Sequence, residues 1–446
     1  MLVFVSDLHF TDGTAGEHNI PSRAFSYFFE HLRAIAAKEH NLVEELTIVL
    51  LGDTFDFLRT EYWFDVPEDE SPWGTNFSAM EVHAARILQR IALANRPSLD
   101  LIRRELENFP AKFRTLLRSR NRRQPRLVPK LLYFPGNHDR LLQLSPLLRR
   151  QLCELLPLKH DHHKPFPAGQ FWPAYQVAAR HGHEYDPYNF EGTPTFTEAD
   201  YHRAPIGDPL TTELIVRLPF EVRRRLQALP PDYPLSDQEK KGIVASFQEI
   251  DNVRPLAHVI PWLRLKIDQE AASPRLRTLF EAAVDAAIRK FQSLKFVKRW
   301  YHDHCRGFFP GYPADRVGAV MFLADKLPVF SAGKLLELAV HLYDRLQPDH
   351  LLAAAPRDLA GWGDQCRYLV YGHTHLPLVV PLSRTAGVER YYLNTGTWRT
   401  RHLKTRQGDA FASFKTMTYV IFYQEGERSR GQAASFETWH AALKTL

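Results

Sequence analysis

Five short clusters along the chain carry aspartate, asparagine or histidine beside a glycine or at a turn. In chain order they are Asp7-Leu8-His9, Gly52-Asp53, Gly136-Asn137-His138-Asp139, His181-Gly182-His183 and Gly372-His373-Thr374-His375. Carboxylate and amide oxygens, together with imidazole nitrogens, are donors that divalent transition metals accept in proteins. A carboxylate such as that of Asp53 can also bridge two ions. These residue types predict a two-metal centre built from separated parts of the chain.

Each cluster also has an ordinary structural explanation. Asp-x-His is common, Gly-Asp most often forms a turn or a helix cap, and Asp139 could cap the helix that follows it. The joint occurrence of all five clusters in one chain favours the functional interpretation. Within the third cluster, Asp139 is predicted to be structural and to orient His138.

Each cluster follows a short apolar segment that is typical of a buried strand, at residues 1–5, 46–51, 131–134, 175–180 and 368–371. Helical spacing over residues 22–40 separates the first two segments and predicts a right-handed βαβ unit. Further strands are predicted at 391–393 and 418–423. Ligands bind outside the carboxyl ends of strands in open α/β sheets, so the clusters are expected to meet in space.

Two long segments interrupt this strand pattern. Residues 1–58, 127–183 and 367–446 are predicted to form an α/β core. Residues 59–126 are predicted to be a helical insertion, and residues 184–366 a larger, mostly helical cap or insertion. Within the larger segment, residues 276–296 have the spacing of one amphipathic helix.

Composition sets wider limits. The chain has 446 residues with 44% hydrophobic and 24% charged residues, which suits a soluble globular protein. Its net charge of +6 fits an anionic partner, or only keeps the surface soluble. Three cysteines without a CxxC pair favour a reducing cytoplasm. No secretory signal or transmembrane segment is recognised, peripheral membrane contact stays open, and the oligomeric state is not determined.

In this order, the five clusters resemble those of the calcineurin-like metallophosphoesterase superfamily. That family carries Asp-x-His, Gly-Asp, Gly-Asn-His-Asp or Glu, a His-Gly-x cluster and Gly-His-x-His. The match covers the core, about half of the chain. It implies an α/β/β/α sandwich of two sheets flanked by helices, with the two helical segments as large insertions.

The resemblance also implies a role for each site residue. Two sets of three ligands would each hold one metal ion: Asp7, His9 and His375 in the first, and Asn137, His181 and His373 in the second. Asp53 would bridge the ions, and His138 would contact the phosphate and assist the leaving group. His183 is expected near the substrate, and Asn394 is expected to be structural. Mn²⁺ is the expected ion, with iron or Zn²⁺ as alternatives.

The reaction implied is hydrolysis of a phosphate monoester, diester or diphosphate by a hydroxide that bridges the metals. The stretch Gly52-Asp53-Thr54-Phe55-Asp56-Phe57 resembles bacterial UDP-2,3-diacylglucosamine diphosphatases, although His138 stands where those enzymes carry arginine. A small or lipid-linked phosphorylated substrate is therefore expected.

Two other functions fit the same residues. A nuclease of the same superfamily needs a basic groove, for which there are two basic sets: Arg118, Arg120, Arg122, Arg123 and Arg126, and Arg223, Arg224 and Arg225. Such sets are also common as solvated helix faces. A metal-binding scaffold with vestigial catalysis ranks third, because no ligand of the pattern is missing.

Overall fold

A computed structural model describes residues 1–38, 41, 43–118, 127–192, 198–255, 258–304, 350–408, 410–428 and 432–442. In these residues the strands are β1 (Leu2–Val5), β2 (Leu46–Leu51), β3 (Pro129–Phe134), β4 (Gly169–Trp172), β5 (Val177–Arg180), β6 (Val253–Arg254), β7 (Tyr368–Tyr371), β8 (Leu378–Thr385), β9 (Val388–Asn394), β10 (Thr400–Lys404), β11 (Phe411–Tyr423) and β12 (Ser435–Ala442). They form two mixed sheets, so the α/β fold class is confirmed.

The first sheet has the strand order β3-β2-β1-β11-β10-β6, with β12 paired to β11. Strands β1, β2 and β3 are parallel to one another, whereas β11 runs antiparallel to β1. Helix α1 (Ser22–Ala36) connects β1 to β2, which confirms the predicted βαβ unit. The helical pattern extended to residue 40, but the helix ends at Ala36.

The second sheet has the strand order β4-β5-β7-β9-β8. Strands β5, β7 and β9 are parallel, and the edge strands β4 and β8 are antiparallel to their neighbours. The sequence pattern placed the start of β5 at residue 175. The strand instead begins at Val177, because residues Pro173–Tyr175 form a 3-10 turn and Gln176 adopts a left-handed conformation.

The two sheets pack face to face over a shared apolar core. Leu2 and Phe4 of β1 contact this core, which also holds Val177 of β5 and Val370 of β7. The alternate residue Val3 points to the opposite face of the first sheet, into a second core with helix α1. Burial on both faces explains why β1 and β7 are continuous apolar runs rather than alternating ones.

Helices surround the sheets in the described residues. Those before β7 and not yet bounded are α2 (Phe77–Ala94), α3 (Arg96–Arg118), α4 (Leu141–Leu144), α5 (Pro146–Leu155), α6 (Glu198–Tyr201), α7 (Gly207–Leu210), α8 (Arg217–Gln227), α9 (Asp237–Gln248), α10 (Val259–Glu270), α11 (Pro274–Ser293), α12 (Lys295–His304) and α13 (His350–Gly361). Single turns of 3-10 helix lie at Glu61–Asp65, Glu68–Glu70, His183–Tyr185 and Glu249–Asn252, and a π-helical turn at Thr211–Val216. None of the described helices has the length and apolar character needed to cross a membrane.

The two predicted insertions differ in how they contact the core. Helices α2 and α3 contribute Leu88, Ile102 and Phe109 to the apolar core beneath the first sheet. The larger segment has an apolar cluster of its own, centred on α8, α9 and α11. It also supplies β6, which pairs parallel to β10 and extends the first sheet. The domain boundaries themselves stay a prediction.

The helix predicted over residues 276–296 is two helices in the structure. Helix α11 ends at Ser293, Leu294 is extended with φ −60° and ψ 131°, and α12 starts at Lys295. The buried faces of both helices are apolar, so their combined pattern reads as one continuous helix. The break is a property of the chain's packing. Leu294 lies in an apolar cluster with Trp73, Ile206 and Phe296.

Candidate metal centre

The five clusters lie in the loops that directly follow β1, β2, β3, β5 and β7. These are parallel strands within their sheets, so their carboxyl ends share one edge of the molecule. The structure thereby brings all the predicted ligands into one group. Their side chains are buried or nearly so, and the most exposed, that of His373, is 10% exposed.

Asp7, His9 and His375 form the first group of donor atoms. Asp7 Oδ1 lies 3.4 Å from His375 Nε2 and 3.9 Å from His9 Nε2. The two imidazole nitrogens face each other at 2.9 Å. Their ligand atoms all lie within 4.8 Å of one another, which is compatible with one shared ion.

Asn137, His181 and His373 form the second group, around Asp53. Asp53 Oδ2 lies 3.3 Å from His181 Nε2, and His373 Nδ1 lies 3.1 Å from Asn137 Oδ1. The same Asp53 oxygen is 3.8 Å from His9 Nε2 in the first group. One carboxylate therefore lies between the two groups, where a bridging ligand is required.

Backbone strain is concentrated in these residues. In the part of the chain that the structure describes, seven non-glycine residues have positive φ. Five of the seven are predicted ligands: Asp7 (52°), His9 (46°), Asp53 (50°), His373 (69°) and His375 (62°). A left-handed conformation costs such residues on the order of 1–3 kcal/mol each, and it persists where the surroundings impose it, often at functional sites.

Glycines allow the loops to approach one another. A Cβ atom on Gly136 would lie 2.2 Å from Asp53 Oδ1, and one on Gly52 would lie 2.2 Å from His181 Nδ1. Gly52 also has φ +85°, which disfavours any side chain. Both glycines are therefore required by the close packing of the ligand loops, in addition to their role as turn residues.

Replacement of Gly136 by alanine is expected to lower the free energy of unfolding by about 1–3 kcal/mol, because the new methyl group overpacks the space held by Asp53. It should also weaken metal binding by displacing Asp53. The matched control is Gly242→Ala on the exposed face of α9, where no described atom lies within 4 Å of the added Cβ. That change should stabilise the helix by up to about 1 kcal/mol.

Chemical denaturation and calorimetric titration with Mn²⁺ measure both effects. An unchanged stability and unchanged metal affinity in the Gly136→Ala variant would contradict the tight packing at Asp53.

The electrostatics of the group favour a bound cation. Burial raises the pKa of Asp7 to about 6, and the charge of Asp53 adds to this rise. Burial on its own would lower the pKa of His181, but the carboxylates of Asp53 and Asp7 outweigh it and raise that pKa to about 10. Two buried carboxylates thus compete for positive charge. A divalent ion supplies that charge without protonating either group.

The nitrogen donors also fit metal ligation. Burial, together with the neighbouring Arg59, lowers the pKa of His9 to about 3, so its imidazole is neutral, which is the form that binds metals. His181 donates from Nδ1 to the Leu51 carbonyl at 2.8 Å, while its Nε2 faces the Asp53 carboxylate at 3.3 Å. Carbonyl contacts of this kind orient metal-binding histidines. The residues therefore fit a pair of divalent ions.

His138 lies beside these groups and is rigidly held. Its backbone N–H donates to Asp53 Oδ1 at 2.8 Å, and its ring Nδ1 lies 3.0 Å from Asp56 Oδ1. The ring packs edge-on against that of His9, with centroids 4.9 Å apart. Asp56 therefore engages Nδ1 of His138 and leaves Nε2 as the other ring nitrogen.

Sequence reasoning gave no role to Asp56, which contacts two site histidines. Its Oδ2 lies 2.8 Å from His9 Nδ1, and its Oδ1 accepts the His138 contact and the backbone N–H of Arg59 at 2.9 Å. Burial would raise the pKa of Asp56, but His138 and Arg59 hold it well below its usual range. The sequence did offer one signal for Asp56: it is a second aspartate in the loop of Asp53, three residues further along the chain.

Asp186 is the second residue that sequence reasoning missed. Its carboxylate lies 2.9 Å from His373 Nε2 and also accepts from the backbone N–H of Tyr188 and the side chain of Asn189. It therefore fixes the ring whose Nδ1 faces Asn137. No motif marks Asp186, because it lies beyond the cluster that follows the strand predicted at 175–180 and falls in the predicted insertion.

Asp139 acts on the loop of His138 rather than on its ring. It accepts from the backbone N–H groups of Thr54 (2.9 Å) and Gly136 and from the Tyr133 hydroxyl. Asp139 therefore supports the backbone of the loop that carries His138, while Asp56 contacts the ring, and the predicted role of Asp139 in orienting His138 stays a prediction.

His183 and Asn394 flank the ligand groups. The His183 ring is buried behind His181, with centroids 5.3 Å apart, and neither of its nitrogens has a hydrogen-bond partner among the described residues. Asn394 donates to the Gly372 carbonyl and accepts from Gly396 N–H at 3.0 Å. Asn394 therefore braces the loop of the last cluster, whereas a substrate contact of His183 stays a prediction.

The two-sheet fold and the buried group of carboxylates and imidazoles define a candidate metal centre at the carboxyl ends of parallel strands. No model of a known protein family matches the chain, and no curated protein matches it significantly. What this site can do therefore follows from the geometry of its own residues.

Proposed function

We propose that the protein is a two-metal hydrolase of phosphoric ester bonds, a metallophosphoesterase. One observation carries the proposal. Donor atoms from five separate loops converge around Asp53, and five of the residues concerned are held in a left-handed backbone conformation. Left-handed residues that cluster in this way are typical of functional sites, where the surrounding structure fixes side chains in position.

The ligands divide between two ions. Asp7, His9 and His375 would hold one ion, and Asn137, His181 and His373 the other, with Asp53 shared. When bound, two divalent ions neutralise charge on phosphoryl oxygens and make water acidic enough to lose a proton near neutral pH. Mixed oxygen and nitrogen donors favour Mn²⁺, iron or Zn²⁺ over Mg²⁺, and Mn²⁺ is the ion that we propose.

The chain's own residues would complete the reaction around the phosphoryl group. His138, fixed through Nδ1 by Asp56, would present Nε2 to a phosphoryl oxygen or to the departing oxygen. From that position it can donate a hydrogen bond to developing negative charge, or a proton to the leaving group. Burial of the ligand side chains would limit the access of bulk water.

A small or lipid-linked phosphorylated compound is the proposed substrate class. One basic set that could have served a nucleic acid is already paired. Arg223 contacts Glu61, and Arg224 and Arg225 contact Glu221. In the other basic set, Arg118 is the last residue of α3. The remaining members, Arg120, Arg122, Arg123 and Arg126, lie outside the described residues. Cys305 also lies outside them.

Metal loading tests the proposal directly. We expect calorimetry to find two Mn²⁺ ions per chain, and the loaded protein to hydrolyse at least one of four probes: an aryl phosphate monoester, an aryl phosphodiester, a nucleoside diphosphate and single-stranded DNA. Removal of the ions with a chelator should abolish turnover, and renewed Mn²⁺ should restore it. Bound ions should also stabilise the fold, by about 2.7 kcal/mol at a hundredfold excess over Kd.

The control is Asp364→Ala, which removes a fully exposed carboxylate remote from the ligand loops. It should bind two ions and hydrolyse the same probe. Absence of metal binding, or hydrolysis that persists in the chelated protein, would refute the proposal. DNA cleavage that weakens steeply with salt would instead favour the nuclease alternative.

A further inference from the structure

A second buried charge cluster adjoins the metal centre. Three arginines surround Asp251: Arg59 from the loop after β2 and Arg399 before β10 contact its carboxylate, and Arg254 at the end of β6 donates to its backbone carbonyl. The three arginines are between 1% and 6% exposed. Arg59 Nε lies 2.5 Å from Asp251 Oδ1, and Arg399 Nη2 lies 2.6 Å from Oδ2. Asp251 and Arg254 both belong to the predicted larger insertion.

Positive charge exceeds negative charge in this cluster. The three guanidinium groups face two carboxylates, Asp251 and Asp56, and Asp56 is already shared with two histidines. Arg254 donates only to the backbone carbonyls of Asp251 and Val253, at 2.9 and 2.8 Å, as far as the described residues are concerned. Burial is the main cause that lowers the pKa of Arg254 to about 9, and the nearby Arg59 and Arg399 lower it further.

Arg399 carries buried donors that are not satisfied. Apart from the contact of Nη2 with Asp251, its Nε and Nη1 have no hydrogen-bond partner in the described part of the chain. A buried donor without an acceptor costs about 1–3 kcal/mol, and more when it is charged. A guanidinium group in this condition is therefore suited to receive an oxyanion, which it can bind with two parallel hydrogen bonds.

The cluster reaches the catalytic side of the metal centre. Arg59 Nη1 lies 2.7 Å from His9 Nδ1 and 3.3 Å from His138 Nδ1. Asp251, which contacts Arg59, also contacts Arg399 at 2.6 Å, so Arg399 is separated from Arg59 by one carboxylate. The arginines are thus neighbours of the first ligand group. An anionic group bound by them would be a close neighbour of a phosphoryl group held at the metals.

We propose that Arg254 and Arg399 form an anion subsite that binds a second oxyanion of the substrate, next to the phosphoryl group that is hydrolysed. This inference rests on the proposed function and narrows its substrate class to compounds with two adjacent anionic groups, such as diphosphates. Asp251 keeps the guanidinium groups in position, and the oxyanion satisfies the donors that Asp251 leaves free.

The competing explanation is that the ion pairs of Asp251 with Arg59 and Arg399 are purely structural and attach the predicted larger insertion to the core. The two explanations differ in what an arginine substitution does to selectivity. Loss of a structural pin weakens the binding of every ligand to a similar degree. Loss of an anion subsite weakens a ligand with two oxyanions much more than a ligand with one.

Calorimetry with two ligands that cannot be hydrolysed tests the subsite in the Mn²⁺-loaded protein. Methylphosphonate carries one oxyanion group, and methylenediphosphonate carries two. We expect wild type to bind the diphosphonate at least about tenfold more tightly, which is the effect of one well-formed charged hydrogen bond. Arg399→Met should remove most of this preference. The matched control is Arg33→Met, which removes a buried arginine paired with Glu105 away from the site and should keep the preference.

Each outcome decides the inference. No preference in wild type, or a preference that survives in Arg399→Met, would overturn it, because the metals alone would then account for binding. If Arg399→Met does not fold, as judged by circular dichroism, Arg254→Gln provides the same comparison. Because the readout is binding, it is separate from the proposed function. A protein that hydrolyses no probe can still show the arginine-dependent preference.

Discussion

Replacement of Asp53 by alanine is expected to lower kcat/KM for phosphoester hydrolysis by about a thousandfold, equivalent to about 4 kcal/mol. The reason is that one side chain serves three partners. Asp53 Oδ2 lies 3.3 Å from His181 Nε2 and 3.8 Å from His9 Nε2, while Oδ1 accepts the backbone N–H of His138. Alanine removes the shared ligand and the support of His138 together.

A second substitution separates these roles. Asp53→Asn keeps an oxygen that can accept from His138 N–H, but it loses the charge that two ions would share. We expect the asparagine variant to bind at most one ion tightly and to be nearly as inactive as the alanine variant. Metal content measured by elemental analysis and initial rates with an aryl phosphate provide the comparison. An Asp53→Ala variant as fast as wild type would show that the two-metal assignment is wrong.

Replacement of His138 by alanine is expected to lower kcat by about a hundredfold to ten-thousandfold, the usual contribution of a positioned acid or base. Both ions should remain bound, because the two predicted ligand sets do not include His138. The loss should be larger for an alkyl phosphate than for an aryl phosphate bearing a good leaving group, since only the former needs a proton on the departing oxygen.

The structure also allows a different role for His138, that of a metal ligand, and the same experiment distinguishes the two roles. His138 forms a cluster with His9 and Asp53 whose donor atoms lie close enough for a shared ion. If His138→Ala loses one metal ion, His138 is a ligand and its assignment as a substrate-facing residue fails. Asp56→Asn should retain metal and reduce kcat less than His138→Ala, because an amide can still accept from the imidazole but stabilises its protonated form less.

Much of the core could be predicted from the sequence because its signals are local. Strands β1 and β2 are buried along nearly their whole length and are almost entirely apolar up to the turn that ends each, and β3 shows the same pattern over its last four residues. The intervening helix α1 shows its buried face through Phe25, Phe28 and Leu32. Parallel strands place their carboxyl ends together, so side chains that follow them must converge. The positions of Asp7 and Asp53 needed no further information.

Other features carry no local signal. Leu294 has an extended backbone between α11 and α12, although the apolar spacing of residues 276–296 is that of one helix. Its side chain packs in a cluster with Trp73 and Ile206, which are distant in sequence. Strand β6 is two residues long, too short to recognise, and exists because β10 offers a partner. Such elements depend on neighbours far away in the chain.

The sequence by itself determined the donor residues of the candidate metal centre, their order and their attachment to strand ends. Only the tertiary structure decided which groups hold them. Asp56 contacts the His138 ring, Asp186 fixes His373 across 187 residues, and three arginines surround Asp251 beside the centre. The physical reason is that the strand directly before a ligand places it at the edge of the sheet, and that strand can be recognised from local sequence. The hydrogen-bond partner of the ligand comes from another chain segment, which is known only once the segments have packed together.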